Sequence, residues 1–175
     1  MPKAIGGKLV EKRENYLTWD EYFMGVAVLS GHRSKDPSTQ VGACIVNEEK
    51  RIVGVGYNGF PHGISDNDPK FSWGKTGSFL ETKYPFVVHA EQNAILNSTK
   101  NLRGCTIYVG LFPCNECAKS IIQSGIKKVV YLSDKHKNTD STIASKMLLD
   151  AAGITYEKLI PRQTEITISL DENLI

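Results

Sequence analysis

The sequence predicts an α/β domain of three layers, with helices on both faces of a mixed central sheet. Three observations carry that expectation. An amphipathic helix is followed at once by a β-hairpin pattern; strands and helices then alternate; glycines stand where two of the later helices must stop. Apolar Trp19, Phe23, Val26 and Ala27 recur at helical spacing over residues 19–32. Thr18 with Glu21 three residues on forms a capping box before them. Residues 41–46 and 51–57 are apolar and β-branched and read as two strands, with Asn47-Glu48-Glu49-Lys50 as the turn between them. Residues 58–86 follow neither period and are rich in Gly, Pro, Asp, Asn and Ser; so long a loop in a compact domain is usually functional or disordered. Helix 89–97, strand 105–109 and a helix over 114–124 ended by Gly125 come next. Strand 128–132, helix 142–152 ended by Gly153, and strands 154–160 and 165–170 complete the order. Residues 1–15 read as a loose tail and 16–170 as one domain. There is no internal repeat and no low-complexity segment.

Composition narrows the class. In 175 residues, 41% are hydrophobic and 23% charged, ordinary for a soluble globular protein with a real core. The net charge of +2 and the lack of any Lys/Arg run argue against a nucleic-acid partner. No apolar run approaches the roughly 20 residues that span a bilayer, and residues 1–8 lack a signal-peptide core. Cys114 and Cys117 form a C-x-x-C, whereas Cys44 and Cys105 sit in strand-like runs. That usage suits a reducing, cytoplasmic setting with one metal site and two buried free thiols.

Two short strings carry the chemistry: His89-Ala90-Glu91 and Pro113-Cys114-Asn115-Glu116-Cys117. One imidazole and two thiolates make a three-ligand zinc site whose fourth position stays open, the catalytic rather than the structural pattern. A structural site would want a fourth ligand, and His32, His62 and His136 stand at no ligand-like spacing, so they read as surface or loop residues. His89 and Cys114 each stand at an expected helix start, where exposed N–H groups and the helix dipole favour the thiolate. Glu91 is the spare carboxylate, placed to move protons without binding the metal. A bound zinc lowers the pKa of its water towards neutrality. Glu91 would take the proton from that water, pass it to the ring nitrogen of a base, and protonate the departing amine.

H-x-E with P-C-x-x-C resembles the zinc nucleobase deaminases. The likeness extends further. Tyr22-Phe23-Met24, Arg33-Ser34-Lys35-Asp36-Pro37, Gln40 to Val46, Gly56-Tyr57-Asn58-Gly59 and Leu111 to Lys119 resemble the deoxycytidylate (dCMP) deaminase family, over nearly the whole chain. Thr82-Lys83-Tyr84-Pro85 before the histidine resembles the eukaryotic-type members. The resemblance implies a cytidine-deaminase-like fold and conversion of dCMP to dUMP, feeding thymidylate synthesis. It also implies a homo-oligomer, typically a hexamer, activated by dCTP and inhibited by dTTP, with Mg2+ accompanying the triphosphate.

In that family the loop matched by Gly56, Tyr57, Asn58 and Gly59 is associated with the allosteric nucleotide. The equivalent asparagine in related deaminases contacts the substrate sugar, so Asn58 suits either site. Substrate contacts are expected from Arg33, Ser34 and Lys35 at the phosphate, from the backbone near Ala90 at the base, and from Lys135 or His136 where a family tyrosine has no counterpart. Two other readings remain. One is a deaminase of a base in tRNA or single-stranded DNA, which would want a basic groove with aromatic platforms. The other is a non-catalytic nucleotide sensor, which would be expected to lose Glu91 or the open metal position.

Overall fold

A computed structural model describes residues 11–172. Helix α1 (Trp19–Gly31) leads into strands β1 (Gly42–Val46) and β2 (Ile52–Tyr57). Helix α2 (Ala90–Leu96), strand β3 (Thr106–Leu111), helix α3 (Asn115–Ser124), strand β4 (Lys128–Ser133), helix α4 (Asp140–Ala151) and strand β5 (Thr155–Lys158) follow. The sheet order is β2-β1-β3-β4-β5. Pairs β1–β2 and β1–β3 are antiparallel, and β3–β4 and β4–β5 are parallel, so the sheet is mixed as expected.

Side-chain alternation along the strands builds the three layers. Cys44 and Val46 of β1, Tyr108 of β3 and Val130 of β4 pack with Phe23, Met24 and Ala27 of α1. Ala43, Ile45, Ile107, Val109 and Val129 face the other way, against Ala94, Ala118, Ile121 and Leu149 of α2, α3 and α4. Every residue of β1 is buried, because a central strand covered on both faces has no solvent side.

The local signals act as the sequence suggests. The Glu21 N–H donates to Thr18 Oγ1 at 3.2 Å, and the Thr18 N–H donates back to Glu21 Oε2 at 2.7 Å. Gly125 ends α3 at φ 82°, in the left-handed region glycine favours. Helix α4 begins two residues before its expected start, because Thr139 caps it by accepting from the Thr142 N–H.

One strand is corrected. Residues 165–170 are not a strand and pair with neither edge of the sheet. Pro161 breaks the chain after β5, and the Arg162 and Gln163 N–H groups donate to Glu21 Oε1 at 2.6 and 3.2 Å. The chain is thereby drawn over α1, where Ile166 Cδ1 lies 3.0 Å from the place a Cβ on Gly25 would take.

The irregular segment before α2 is organised by its own contacts. Phe60 and Trp73 meet with ring centres 4.1 Å apart and planes tilted by 32°, and Phe71 packs edge-on against Phe86 at 5.0 Å. A bridge between Gly59 and Val88 closes its base. Of the expected tail, residues 1–10 lie outside the described residues. Among those described, no helix is long and apolar enough to cross a membrane.

Candidate metal centre and active site

His89 and Cys114 occupy the N-cap positions of α2 and α3, and neither side chain caps its own helix. Both side chains are therefore available to a ligand. Helix α2 is brought in close by two glycines of β2. A Cβ on Gly54 would lie 2.5 Å from the Ala94 carbonyl oxygen, and one on Gly56 would lie 2.2 Å from the Ala94 nitrogen. Amide side chains fasten the same helix: Asn93 Nδ2 donates to the Tyr57 carbonyl at 2.7 Å and Asn97 Nδ2 to the Val55 carbonyl at 3.1 Å.

The two helix starts converge. His89 Nδ1 lies 3.4 Å from the Cys114 sulfur and 3.4 Å from the Cys117 sulfur. All three ligand atoms lie within 4.8 Å of one another. Tetrahedral zinc with ordinary Zn–N and Zn–S bonds sets nitrogen and sulfur about 3.6 Å apart. The trio thus fits zinc through Nδ1, and it is the only such group among the described residues.

The charges fit as well. A hydrogen bond from the Cys117 thiol holds Cys114 down to about 4, against the opposing effect of burial, with His89 assisting. Cys117 is driven far upwards by the same hydrogen bond and by burial. His89 is raised, first by its hydrogen bond with Cys114. Without metal the trio therefore retains a proton that zinc would displace. Glu91, on the first turn of α2, is buried. Burial raises its pKa, with His89 opposing. A carboxyl so placed takes up a proton more readily than an exposed one, as proton transfer near neutrality requires.

A cavity of about 350 Å3 opens onto His89, Glu91 and Cys114. Of the expected substrate residues, Asn58 and Ala90 line it. Ser34 lies behind, its hydroxyl donating to the Asn58 carbonyl at 2.8 Å. Lys35 is exposed, paired with Asp66, and outside the lining. Lys135 faces a neighbouring cleft with His32 and Ser133. His136, read as a surface residue, is exposed but stands on the cavity wall.

The Gly56 to Gly59 string divides. Gly56 packs under α2, Tyr57 carries the Arg33 guanidinium 6.0 Å over its ring, Asn58 is buried, and Gly59 forms the bridge to Val88.

Several lining residues escaped the sequence reading: Asp36, Lys75, Lys83 and Thr139. Asp36 had a signal. Asp-Pro-Ser-Thr is a turn pattern, and the Ser38 and Thr39 N–H groups donate to Asp36 Oδ1 at 2.9 and 3.2 Å. Lys75 and Lys83 lie in the segment without periodicity; Lys83 belongs to the Thr82 to Pro85 string, but nothing local gives either lysine a role.

Comparison with known proteins agrees with this geometry. Residues 17–133 match the family model for the cytidine and deoxycytidylate deaminase zinc-binding region. The chain is 55% identical to a deoxycytidylate deaminase of Pongo abelii, over 92% of this chain and 90% of that one. It is 54% identical to the Homo sapiens deoxycytidylate deaminase over the same shares. The crystal structure of a cyanophage S-TIM5 dCMP deaminase in complex with dCMP and dUMP superposes with a TM-score of 0.62 at 32% identity, covering 79% of this chain and 95% of that one. The zinc-ligand geometry, the buried carboxylate beside it and these matches lead to one conclusion: the chain belongs to the cytidine and deoxycytidylate deaminase family.

Proposed function

We propose that this enzyme hydrolyses dCMP to dUMP and ammonia, with zinc held by His89, Cys114 and Cys117 and with Glu91 as its proton carrier. The observation that carries the reading is one cavity that opens onto His89, Cys114 and the buried Glu91, with the Cys117 sulfur 3.4 Å from His89 Nδ1. Zinc bound there would supply a water of lowered pKa as the nucleophile. Glu91 accepts the proton of that water and delivers it to N3 of the cytosine ring. The water oxygen bonds to C4; Glu91 then takes the remaining proton of the new C4 hydroxyl and donates it to the exocyclic nitrogen, so that the C4–N bond breaks, ammonia leaves and C4 keeps a carbonyl oxygen. The Ala90 backbone and Asn58 orient base and sugar.

The phosphate lies at the rim. Lys75 and His136 are exposed on the cavity wall there. Lys35, paired with Asp66, and Lys135, on a neighbouring cleft, stand outside the lining. The high identity to deoxycytidylate deaminases favours dCMP over a base in nucleic acid, as does the near-neutral net charge. The intact Glu91 and metal trio speak against a mere nucleotide sensor.

Regulation belongs to the same proposal. A homo-oligomer, typically a hexamer, would bind dCTP as activator and dTTP as inhibitor through the Gly56, Tyr57, Asn58 and Gly59 loop. Asn58 itself lies on the catalytic cavity, so the regulatory contacts fall to Tyr57 and Gly59. Mg2+ would arrive with the triphosphate, as the family resemblance implies. A cytoplasmic setting and a role in supplying dUMP for thymidylate complete the reading. Ammonia release from dCMP, followed with and without dCTP or dTTP, tests it. Sigmoidal kinetics made hyperbolic by dCTP support both substrate and regulation. Hyperbolic kinetics indifferent to either effector remove the regulatory part, and absence of turnover removes the whole.

A further inference from the structure

The buried ion pair of Lys83 and Asp36 takes no part in those proton transfers, yet both residues stand in the wall of the cavity. Its side chains are 8% and 1% exposed, which is rare for opposite charges unless their position matters. Asp36 is saturated. Its Oδ1 accepts from the Ser38 and Thr39 N–H groups, and its Oδ2 accepts from Lys83 Nζ and from Asn58 Nδ2 at 3.4 Å.

Asn58 is oriented by the same network. Its Nδ2 donates to Asp36 and to the Thr39 carbonyl at 3.0 Å, while its Oδ1 accepts from the Val41 N–H at 2.9 Å. A flipped amide would set donor against donor at Val41, and acceptor against acceptor at Thr39 and Asp36. Both Asn58 donors are therefore spent, and the only capacity left to it is a lone pair on Oδ1. Asn58 can bind a hydroxyl donor in the cavity but cannot serve an acceptor. On the dCMP reading, on which this inference rests, the sugar has a single free hydroxyl, at its 3′ carbon.

Lys83 reaches Asp36 from the long segment before α2. Its own backbone is fixed there: its N–H donates to the Gly74 carbonyl at 2.9 Å, and its carbonyl accepts from the Phe86 and Val87 N–H groups.

We propose that Lys83 and Asp36 are positioning residues that lock the Asn58 carboxamide with its oxygen available to substrate, so that the site selects a sugar bearing a 3′ hydroxyl. Without the ammonium, Asp36 is a buried charge with one partner fewer, and the network must rearrange around it.

The test compares dCMP with 2′,3′-dideoxycytidine monophosphate, using the zinc-loaded full chain. Wild type should favour dCMP in kcat/KM by about a hundredfold, the worth of a well-placed buried hydrogen bond and the penalty of leaving it unmade. In Lys83→Met that preference should shrink to less than about tenfold, with zinc content unchanged and the loss expressed mainly in KM for dCMP. Lys83→Arg, which keeps the charge, should restore most of it. If Lys83→Met does not fold, the double variant Asp36→Asn/Lys83→Met takes its place, since it buries no unpaired charge. There the amide that must accept from Ser38 and Thr39 presents its own donors to Asn58 and breaks the lock.

Full preference retained in a folded, zinc-loaded variant overturns the lock alone. So does a loss confined to phosphorylated substrates, which would make Lys83 a phosphate ligand instead. No turnover of dCMP by wild type overturns the substrate reading, and the lock with it.

Discussion

Gly56 and Ala94 meet backbone to backbone: a Cβ on Gly56 would lie 2.2 Å from the Ala94 nitrogen. The contact is a fixed spacer between the sheet and the helix that carries His89 and Glu91. Gly56→Ala must push α2 away and should cost about 1 to 3 kcal/mol, the usual range for overpacking. Zinc content should fall with stability, because His89 moves with the helix. Thermal unfolding together with metal analysis measures both; an unchanged midpoint with full zinc would show that the helix position is not set there.

Metal removal should expose one thiol selectively. Burial pushes the Cys44 thiol up to about 12, and Cys105 is also raised by burial. Neither should react with iodoacetamide in the native protein. Cys114, half-buried on the cavity, should be shielded by zinc and become alkylated after chelation. Peptide mapping before and after chelation reads this directly. Modification of Cys44 in folded protein would contradict the packing of α1 on the sheet.

Acid should loosen the C-terminal segment. Glu21 is held down to about 2 from an ordinary 4.5, first by the Thr18 N–H, with burial opposing and Arg162 assisting. A carboxylate depressed by folding stabilises fully above its unfolded value, and that contribution is lost as pH falls from 4.5 towards 2. Because Glu21 also holds the Arg162 and Gln163 N–H groups, the chain after residue 161 should exchange its amides faster over the same range. Glu21→Gln should be less stable at neutral pH and should flatten the acid limb of a urea-unfolding series. An acid limb as steep as wild type would assign the transition to other carboxylates.

Phosphate recognition separates the rim from the surface. Lys75→Ala should raise KM for dCMP by about tenfold while leaving deoxycytidine nearly unchanged, as expected for one charge-assisted contact. Lys35→Ala, whose ammonium is already engaged by Asp66, should change dCMP and deoxycytidine by equal, small factors. The reverse ranking in steady-state kinetics would return the phosphate to the Arg33 to Lys35 turn.

Much of this arrangement was legible in the sequence, for particular reasons. Thr18 with Glu21 marked α1, and Gly125 and Gly153 marked two helix ends, because caps and left-handed glycines are local chemistry. His89, Cys114 and Cys117 were legible because metal ligation dictates residue type and spacing, and Glu91 because it stands two residues after the histidine. The 165–170 alternation misled, since period two says nothing about whether a neighbouring strand exists. Lys83 and Lys75 stayed hidden for a related reason. They lie in a segment organised by Phe60, Phe71, Trp73 and Phe86, which meet at a distance in sequence. Asn58 suited two sites on paper; the structure holds it on the cavity wall through Asp36, Thr39 and Val41, partners that no local pattern names.

The central claim is that Glu91 moves the protons and does not hold the metal. Turnover of dCMP by zinc-loaded wild type and Glu91→Gln, compared at equal zinc per subunit, measures it most directly. Full zinc occupancy with activity reduced by about a thousandfold or more is the expected result, given the usual worth of a general acid–base group acting in several steps. Substantial turnover by zinc-replete Glu91→Gln, or a variant that fails to hold zinc, would contradict the account.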